Sequence, residues 1–101
     1  MVPVMHDYEM TYIVTPTVAD DGVIATNEKV ASTITSAGGE IVDIHPWGGK
    51  RRLAYPIEQH RDGYYVTTKF RTSAAAAHGL NAQIRLNENI IRHVVFRSDE
   101  L

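Results

Sequence analysis

The sequence places three consecutive cations, Lys50, Arg51 and Arg52, directly after a Gly48-Gly49 pair. Paired glycines favour a turn, so these basic side chains are expected at the junction between a turn and a strand. Guanidinium and ammonium groups at such a junction can donate hydrogen bonds to phosphate oxygens, the part of RNA recognition that does not depend on base sequence. The cluster therefore predicts a phosphate-binding surface, and a solvated, charged hairpin is the competing interpretation.

Charge is divided unequally along the chain, although the formal net charge is only −2. Residues 1–48 contain seven acidic residues and one lysine, a net charge of −6, whereas residues 49–97 contain nine basic and three acidic residues, a net charge of +6. Such asymmetry is one compositional sign of a nucleic-acid-binding face. It is equally expected if the two halves of the chain attract each other, so charge alone leaves both interpretations open.

No pattern in the sequence is typical of an enzyme, a metal site or a cofactor site. The chain has no cysteine, which excludes thiol catalysis, disulfides and iron–sulfur clusters. Its five histidines lack the spacing of a zinc motif, and the glycine motifs that bind nucleotides are missing. Acylphosphatases share this length, but they carry a glycine-rich loop with an arginine where this chain has Thr15-Pro16-Thr17. The sequence therefore predicts a non-enzymatic protein without a metal, a cofactor or a small-molecule substrate.

Length and hydropathy predict one domain outside the membrane. The chain has 101 residues, 44% of them hydrophobic, which suits a single domain over residues 1–101 with flexible ends at 1–6 and 98–101. No apolar run is long enough for a membrane span, and the first residues do not resemble a secretory signal. These features predict a reduced, cytoplasmic protein.

Hydrophobic periodicity predicts four strands and two helices. The helices are expected to begin at Asp20-Asp21 and at Ser73, whose side chains are good N-caps, and the first should end at Gly38-Gly39. The predicted strands are residues 7–14, 40–47, 64–71 and 90–97. The resulting order, βαββαβ, predicts an α+β, ferredoxin-like split β-α-β fold: a four-stranded antiparallel sheet with two helices on one face.

The alternation of side chains assigns residues to the two faces of that sheet. In strand 40–47, Val42 and Ile44 are expected on one face and Ile41 on the other. In strand 64–71, Tyr65 is expected to face away from the helices, and the core-facing residues are Tyr64, Val66, Thr68 and Phe70. This parity disfavours an RRM-type domain, which stacks bases on aromatic residues exposed on its central strands.

Residues 47–57 read Trp-Gly-Gly-Lys-Arg-Arg-Leu-Ala-Tyr-Pro-Ile. This run resembles the signature of the bacterial ribosomal protein S6 family of the small subunit, in which a basic residue and Arg-Leu-Ala-Tyr follow a glycine. The resemblance extends over most of the chain through residues 8–9, 15–16, 62–65 and 87–92. The chain departs from the family at His6, where an arginine is common, and at Glu58, where a basic or small residue is favoured.

The resemblance implies a structural, non-catalytic protein of the 30S subunit with the ferredoxin-like fold. Members of the family bind the central domain of 16S rRNA as a heterodimer with ribosomal protein S18. Arg51, Arg52 and Arg92 match the family's basic positions, so these residues are expected to contact phosphate, with Lys50 and Arg85 as further candidates.

The partner protein is expected to be strongly basic, so the acidic half of this chain would receive it while the basic half meets RNA. The candidate partner-binding residues are Glu9, Asp43, Trp47 and Tyr65. The main alternative is a regulatory or dimeric ligand-binding domain of the same ferredoxin-like fold that pairs through its sheet.

Overall fold

The computed structural model describes residues 4–18, 20–57 and 60–98. Along the chain the elements are β1 (Met5–Val14), α1 (Asp20–Ser36), β2 (Glu40–Pro46), β3 (Arg51–Ile57), β4 (His60–Ser73), α2 (Ala74–Arg85) and β5 (Ile90–Arg97). Of the two predicted end segments, residues 1–3 and 99–101 lie outside the described residues. The first strand already begins at Met5.

The sheet has the strand order β2-β4-β1-β5 with antiparallel pairing throughout, and β3 pairs with β4 beyond this path. An α+β fold with two helices and an antiparallel sheet was predicted and is confirmed, but the sheet has five strands rather than four. Strand β4 begins at His60, before the predicted start at residue 64, because its first residues pair with β3. Only Leu53 is buried in β3, so this strand carries no alternating apolar signal.

The core lies between the helices and one face of the sheet, and its membership follows the predicted periodicity. Val30 and Ile34 of α1 and Leu80 and Ile84 of α2 are buried against the sheet. The buried sheet residues that meet them are Tyr8, Met10, Tyr12, Val14, Val66 and Phe70. The core face predicted for strand 64–71 is thus confirmed in β4. Neither helix, within the described residues, is long and apolar enough to cross a membrane.

The predicted faces of β2 were wrong. The register of β2 on β4 shifts between Ile41 and Asp43, as at a β-bulge. A bulge inserts one residue and reverses the alternation that follows it. Ile41 and Ile44 therefore both pack against the core, while Val42 is exposed.

The three predicted helix boundaries agree with the structure, since α1 begins at Asp20 and ends at Ser36, shortly before Gly38, and α2 begins directly after Ser73. The Ser73 hydroxyl accepts a hydrogen bond from the backbone N–H of Ala76 at 3.2 Å and so caps α2. Gly38 follows α1 with φ of +90°, the left-handed conformation that glycine adopts without a steric penalty. These local signals determine where the two helices begin and end.

Tyr12 is a fully buried ionisable residue of the core. Its hydroxyl donates a 2.6 Å hydrogen bond to Asn27 Oδ1 of α1, which ties the helix to β1. Burial raises the pKa of Tyr12 to about 12, against a smaller opposing effect of the Thr68 hydroxyl. Folding therefore favours the neutral phenol.

This shift predicts a loss of stability at alkaline pH. Between pH 10 and 12 the unfolded chain releases the Tyr12 proton before the folded chain does, so the free energy of unfolding falls as the pH rises, by up to about 2.7 kcal/mol. Urea unfolding near pH 9 and near pH 11.5 measures this fall. We expect a clearly smaller fall in Tyr12→Phe, and an equal fall in both proteins would contradict the assignment.

Candidate nucleic-acid interface

The sheet face opposite the helices, called here the outer face, carries most of the predicted site residues. Alternation along each strand and the pairing registers place these side chains on one side of the sheet. The outer-face residues are Asp7, Glu9, Thr11 and Ile13 of β1, Tyr65, Thr67, Lys69 and Arg71 of β4, and Arg92, Val94 and Phe96 of β5. The basic hairpin, defined as Lys50, β3 and the start of β4, adjoins this face.

A small apolar contact fixes the hairpin against the outer face. Leu53 of β3 and Ile13 of β1 are both buried, on the side of the sheet away from the main core. Gly63 lies between them: a Cβ added at this position would overlap the Ile13 Cγ2 methyl and lie 3.7 Å from Leu53 Cδ2. The absence of a side chain at Gly63 therefore lets β3 and β4 approach β1 closely.

Arg51 is exposed, and its orientation is set by Trp47. Its Nη2 donates a 2.7 Å hydrogen bond to the Trp47 carbonyl, and its guanidinium carbon lies 5.8 Å from the centroid of the Trp47 ring. The Trp47 ring stacks on Tyr65 at 5.0 Å, and its Nε1 donates to Thr67 Oγ1 at 2.9 Å. The indole is thus anchored on the sheet, and the guanidinium is held at the solvent side of it.

Arg92 of β5 is also exposed and also borders an aromatic ring. Its Nη1 donates a 2.6 Å hydrogen bond to the Tyr55 hydroxyl, and its guanidinium carbon lies 5.7 Å from the centroid of that ring. Tyr55 belongs to β3, so this contact brings Arg92 beside the hairpin. Two of the three predicted phosphate contacts, Arg51 and Arg92, therefore lie on the outer face next to aromatic side chains.

The other predicted RNA-binding residues are distributed differently. Arg52 is exposed and lines a surface groove with Tyr55 and Arg61 of the same hairpin. The Lys50 Nζ lies 5.9 Å from the centroid of the Tyr64 ring, which packs on the core side. Lys50 and Arg52 thus belong to the hairpin without sharing the contacts of Arg51.

Arg85 is separate from this group. It lies in the last turn of α2, on the helix side of the sheet. There its charge adds to burial in lowering the pKa of His93, whose ring forms a 3.1 Å hydrogen bond with Asn81 of the same helix. The structure does not bring Arg85 to the outer face.

The two oppositely charged halves of the chain do not form two opposite sides of the molecule. Asp7 forms an ion pair with Arg71 at 3.0 Å, and Glu9 contacts Lys69 at 3.8 Å, because acidic β1 pairs with basic β4 in the sheet. The candidate partner-binding residues Glu9 and Tyr65 therefore lie on the same face as Arg51.

A shallow groove of about 500 Å³ on the outer face joins predicted residues of both classes. It is lined by Asp43, His45, Trp47, Arg51, Thr67 and Lys69. Lys69, Thr67 and Tyr55 were not among the candidate site residues predicted from the sequence, because their contacts with those residues depend on strand register. The alternation in 64–71 was the available signal for Lys69. Within the described residues, no group of three histidine or acidic side chains can hold a metal ion.

The chain is similar to one family of proteins in both sequence and structure. The sequence model of the family described as ribosomal protein S6 matches residues 7–97. The small ribosomal subunit protein bS6 of Desulforudis audaxviator (strain MP104C) is 40% identical over 95 residues, which are 94% of this chain and all of that protein. The protein of the same name from Desulforamulus reducens is 38% identical over 96 residues, 95% of this chain and all of that protein.

A solved structure of a protein of the same name as the family is also similar to this chain. The crystal structure of 30S ribosomal protein S6 from Thermotoga maritima superposes with a TM-score of 0.88 at 26% sequence identity. The superposition covers 96% of this chain and 91% of that one.

Proposed function

Because the chain belongs to the ribosomal protein S6 family, we propose that it is a structural component of the small ribosomal subunit that binds the central domain of 16S rRNA together with ribosomal protein S18. Family membership confirms the resemblance seen in residues 47–57 and the prediction of a non-enzymatic protein. It also favours a ribosomal role over a regulatory, ligand-binding domain of the same fold. The names of the relatives support placement in the cytoplasmic ribosome.

The RNA-binding part of this proposal is supported by the exposed guanidinium groups of the hairpin, which are not neutralised by an ion pair within the described residues. Arg51 and Arg52 are exposed, and among the described residues no carboxylate lies within ion-pairing distance of either group. Arg51 is held instead by a carbonyl and an indole ring. A guanidinium that is ordered but not neutralised keeps its remaining N–H donors for a phosphate, and less side-chain freedom is lost on binding.

We assign the other end of the outer face to the protein partner. Glu9 is the register neighbour of Phe96, and Thr11 is the register neighbour of Val94. Phe96 and Val94 are large apolar residues left 38% and 56% exposed. Apolar and aromatic side chains next to a carboxylate suit a basic protein partner better than they suit a phosphate backbone.

Partner binding would also explain how a chain with a net charge of −2 can bind RNA. Phosphate binding depends on a positive field. In this proposal the heterodimer supplies that field. Asp43, Trp47 and Tyr65 lie beside Arg51, so they form the border at which the partner surface meets the RNA surface. The hairpin then contributes the local phosphate contacts.

Site-directed radical cleavage of RNA tests both parts of the proposal in one experiment. The chain has no cysteine, so a single introduced cysteine carries an iron chelate without background labelling. Ala54→Cys places the probe on an exposed position of β3, and Ser32→Cys is the matched control on an exposed position of α1. Each labelled chain is combined with a central-domain fragment of 16S rRNA, with and without S18.

We expect strong, localised cleavage from position 54 and weak cleavage from position 32, and we expect both to depend on S18. Strong cleavage from position 32 with none from position 54 would place the RNA on the helix side and contradict the assignment of the hairpin. Equal cleavage from position 54 without S18 would contradict the shared binding.

A further inference from the structure

We propose that Tyr55 is a positioning residue that orients the Arg92 guanidinium toward an RNA phosphate and couples it to the basic hairpin. This inference rests on the proposed function and assigns a role to a residue that touches the RNA only through another side chain. It starts from one contact between β3 and β5, two strands that are not paired with each other. The contact joins residues that lie 37 positions apart in the sequence.

The geometry of this contact restrains Arg92 in two ways. The Tyr55 hydroxyl accepts a hydrogen bond from Arg92 Nη1 at 2.6 Å, and the ring lies 5.7 Å from the guanidinium carbon. A guanidinium has five N–H donors, so one bond to the phenol leaves four for a phosphate. The contact partner is a hydroxyl rather than a carboxylate, so it orders Arg92 without forming an ion pair with it.

The stability of the fold does not depend on a tyrosine at position 55. Tyr55 is 57% exposed, whereas Leu53, two residues earlier in β3, is buried and lies with Ile13 around Gly63. The hydroxyl therefore contributes an exposed hydrogen bond to Arg92 rather than a core contact. Removing it should leave the fold unchanged and release only the arginine.

The contact also determines which cations act together. Arg92 is the register neighbour of Ile13 on β1, and Ile13 is the residue that Gly63 and the hairpin approach. Tyr55 reaches from the hairpin to Arg92 on this side of the sheet. Arg51 and Arg92 thereby belong to one surface, and each is restrained by an aromatic residue.

A double-mutant cycle on RNA affinity tests the positioning role. The variants are Arg92→Ala, Tyr55→Phe and their combination, each measured with saturating S18 on a 16S rRNA central-domain fragment across a salt series. Arg92→Ala should weaken binding about 10-fold and reduce the slope of log affinity against log salt by about one. Tyr55→Phe should weaken binding about 3- to 5-fold at unchanged slope, since ordering is lost but no phosphate contact is removed.

The combination is expected to bind no more weakly than Arg92→Ala alone. Tyr8→Phe, which removes a phenol hydroxyl on the core side of β1, serves as the control and should not change the affinity or the slope. Equal losses from Tyr55→Phe in both backgrounds would show that the Tyr55 hydroxyl contacts RNA itself, independently of Arg92, and would overturn the inference. Weaker RNA binding by Arg92→Ala, together with unchanged binding by Tyr55→Phe, would also overturn the inference.

A measurement without RNA separates this inference from the proposed function. In ¹⁵N NMR spectra of the free chain, the Arg92 Nη–H signals should be resolved in the wild type and averaged by rotation in Tyr55→Phe. Averaged signals in both proteins would overturn the positioning role, whatever the RNA affinity. Failure of every variant, wild type included, to bind the fragment would overturn the proposed function instead.

Discussion

Replacing Gly63 by valine is expected to destabilise the fold by about 3 kcal/mol and to detach the hairpin from the outer face. A Cβ at this position would overlap the Ile13 side chain and lie 3.3 Å from the Val14 carbonyl oxygen. Ile13 belongs to the strand between β4 and β5 and is buried, so it has little room to move. The backbone of β4 must shift instead, which breaks its pairing with β3. Urea unfolding measures the loss of stability.

The matched control is Gly79→Ala. Gly79 is exposed in α2, and a Cβ there would meet nothing within 4 Å. Alanine in a helix is more favourable than glycine by about 1 kcal/mol, so this variant should be more stable than the wild type. An unchanged unfolding midpoint for Gly63→Val, with Gly79→Ala behaving as expected, would contradict the close approach of the hairpin to Ile13.

Detachment of the hairpin in Gly63→Val should also weaken RNA binding, because the hairpin carries Arg51, Arg52 and Tyr55. We expect binding to 16S rRNA with S18 to fall even at temperatures where the variant remains folded. Gly63 thus affects RNA binding only by setting the position of the hairpin. It neither contacts RNA nor alters the charge of the chain.

Much of the fold could be predicted from the sequence because the core residues follow the periods of their elements. The alternation in β1 survives in the structure, since one face of this central strand is covered by both helices. The cap at Ser73 and the left-handed Gly38 are local chemistry, which a short stretch of sequence determines by itself.

The errors have two physical sources. A single inserted residue near Val42 reversed the faces of β2, and nothing in the local residue types marks a bulge there. Strand β3 was missed because only Leu53 is buried in it, and its conformation depends on pairing with β4 rather than on its own apolar pattern.

The cations of the candidate site could be recognised in the sequence, but their arrangement in space could not. The cluster around Arg51 stands out in the sequence, whereas the contact of Arg92 with Tyr55 depends on long-range register. The separation of charge along the chain left two interpretations open, and the ion pairs between β1 and β4 agree with attraction between the two halves. Pairing of β1 with β4 sets Asp7 beside Arg71, so acidic and basic residues share the outer face.

The second large effect is expected from removing both hairpin guanidiniums. Arg51→Ala combined with Arg52→Ala should lower the affinity of the chain, with S18 present, for a 16S rRNA central-domain fragment on the order of 100-fold, if each arginine gives one charge-assisted hydrogen bond to phosphate. Both side chains are exposed, so the fold should be unaffected. Unchanged circular dichroism and unfolding midpoint would verify this.

Lys29→Ala is the comparison for charge alone. Lys29 is exposed on α1, on the helix side, and its removal makes the chain more negative without touching the hairpin. A general effect of net charge would weaken binding in this variant as well. If the hairpin instead makes local phosphate contacts, the RNA affinity of Lys29→Ala should stay close to that of the wild type.

The salt dependence of binding tests the central claim most directly, because the slope of log affinity against log salt counts the phosphates that the protein neutralises. With S18 saturating, the slope of the Arg51→Ala, Arg52→Ala variant should be smaller than that of the wild type by about two, and Lys29→Ala should retain the wild-type slope. A double variant that kept both the affinity and the slope of the wild type would show that the basic hairpin does not contact the RNA, and would contradict the account.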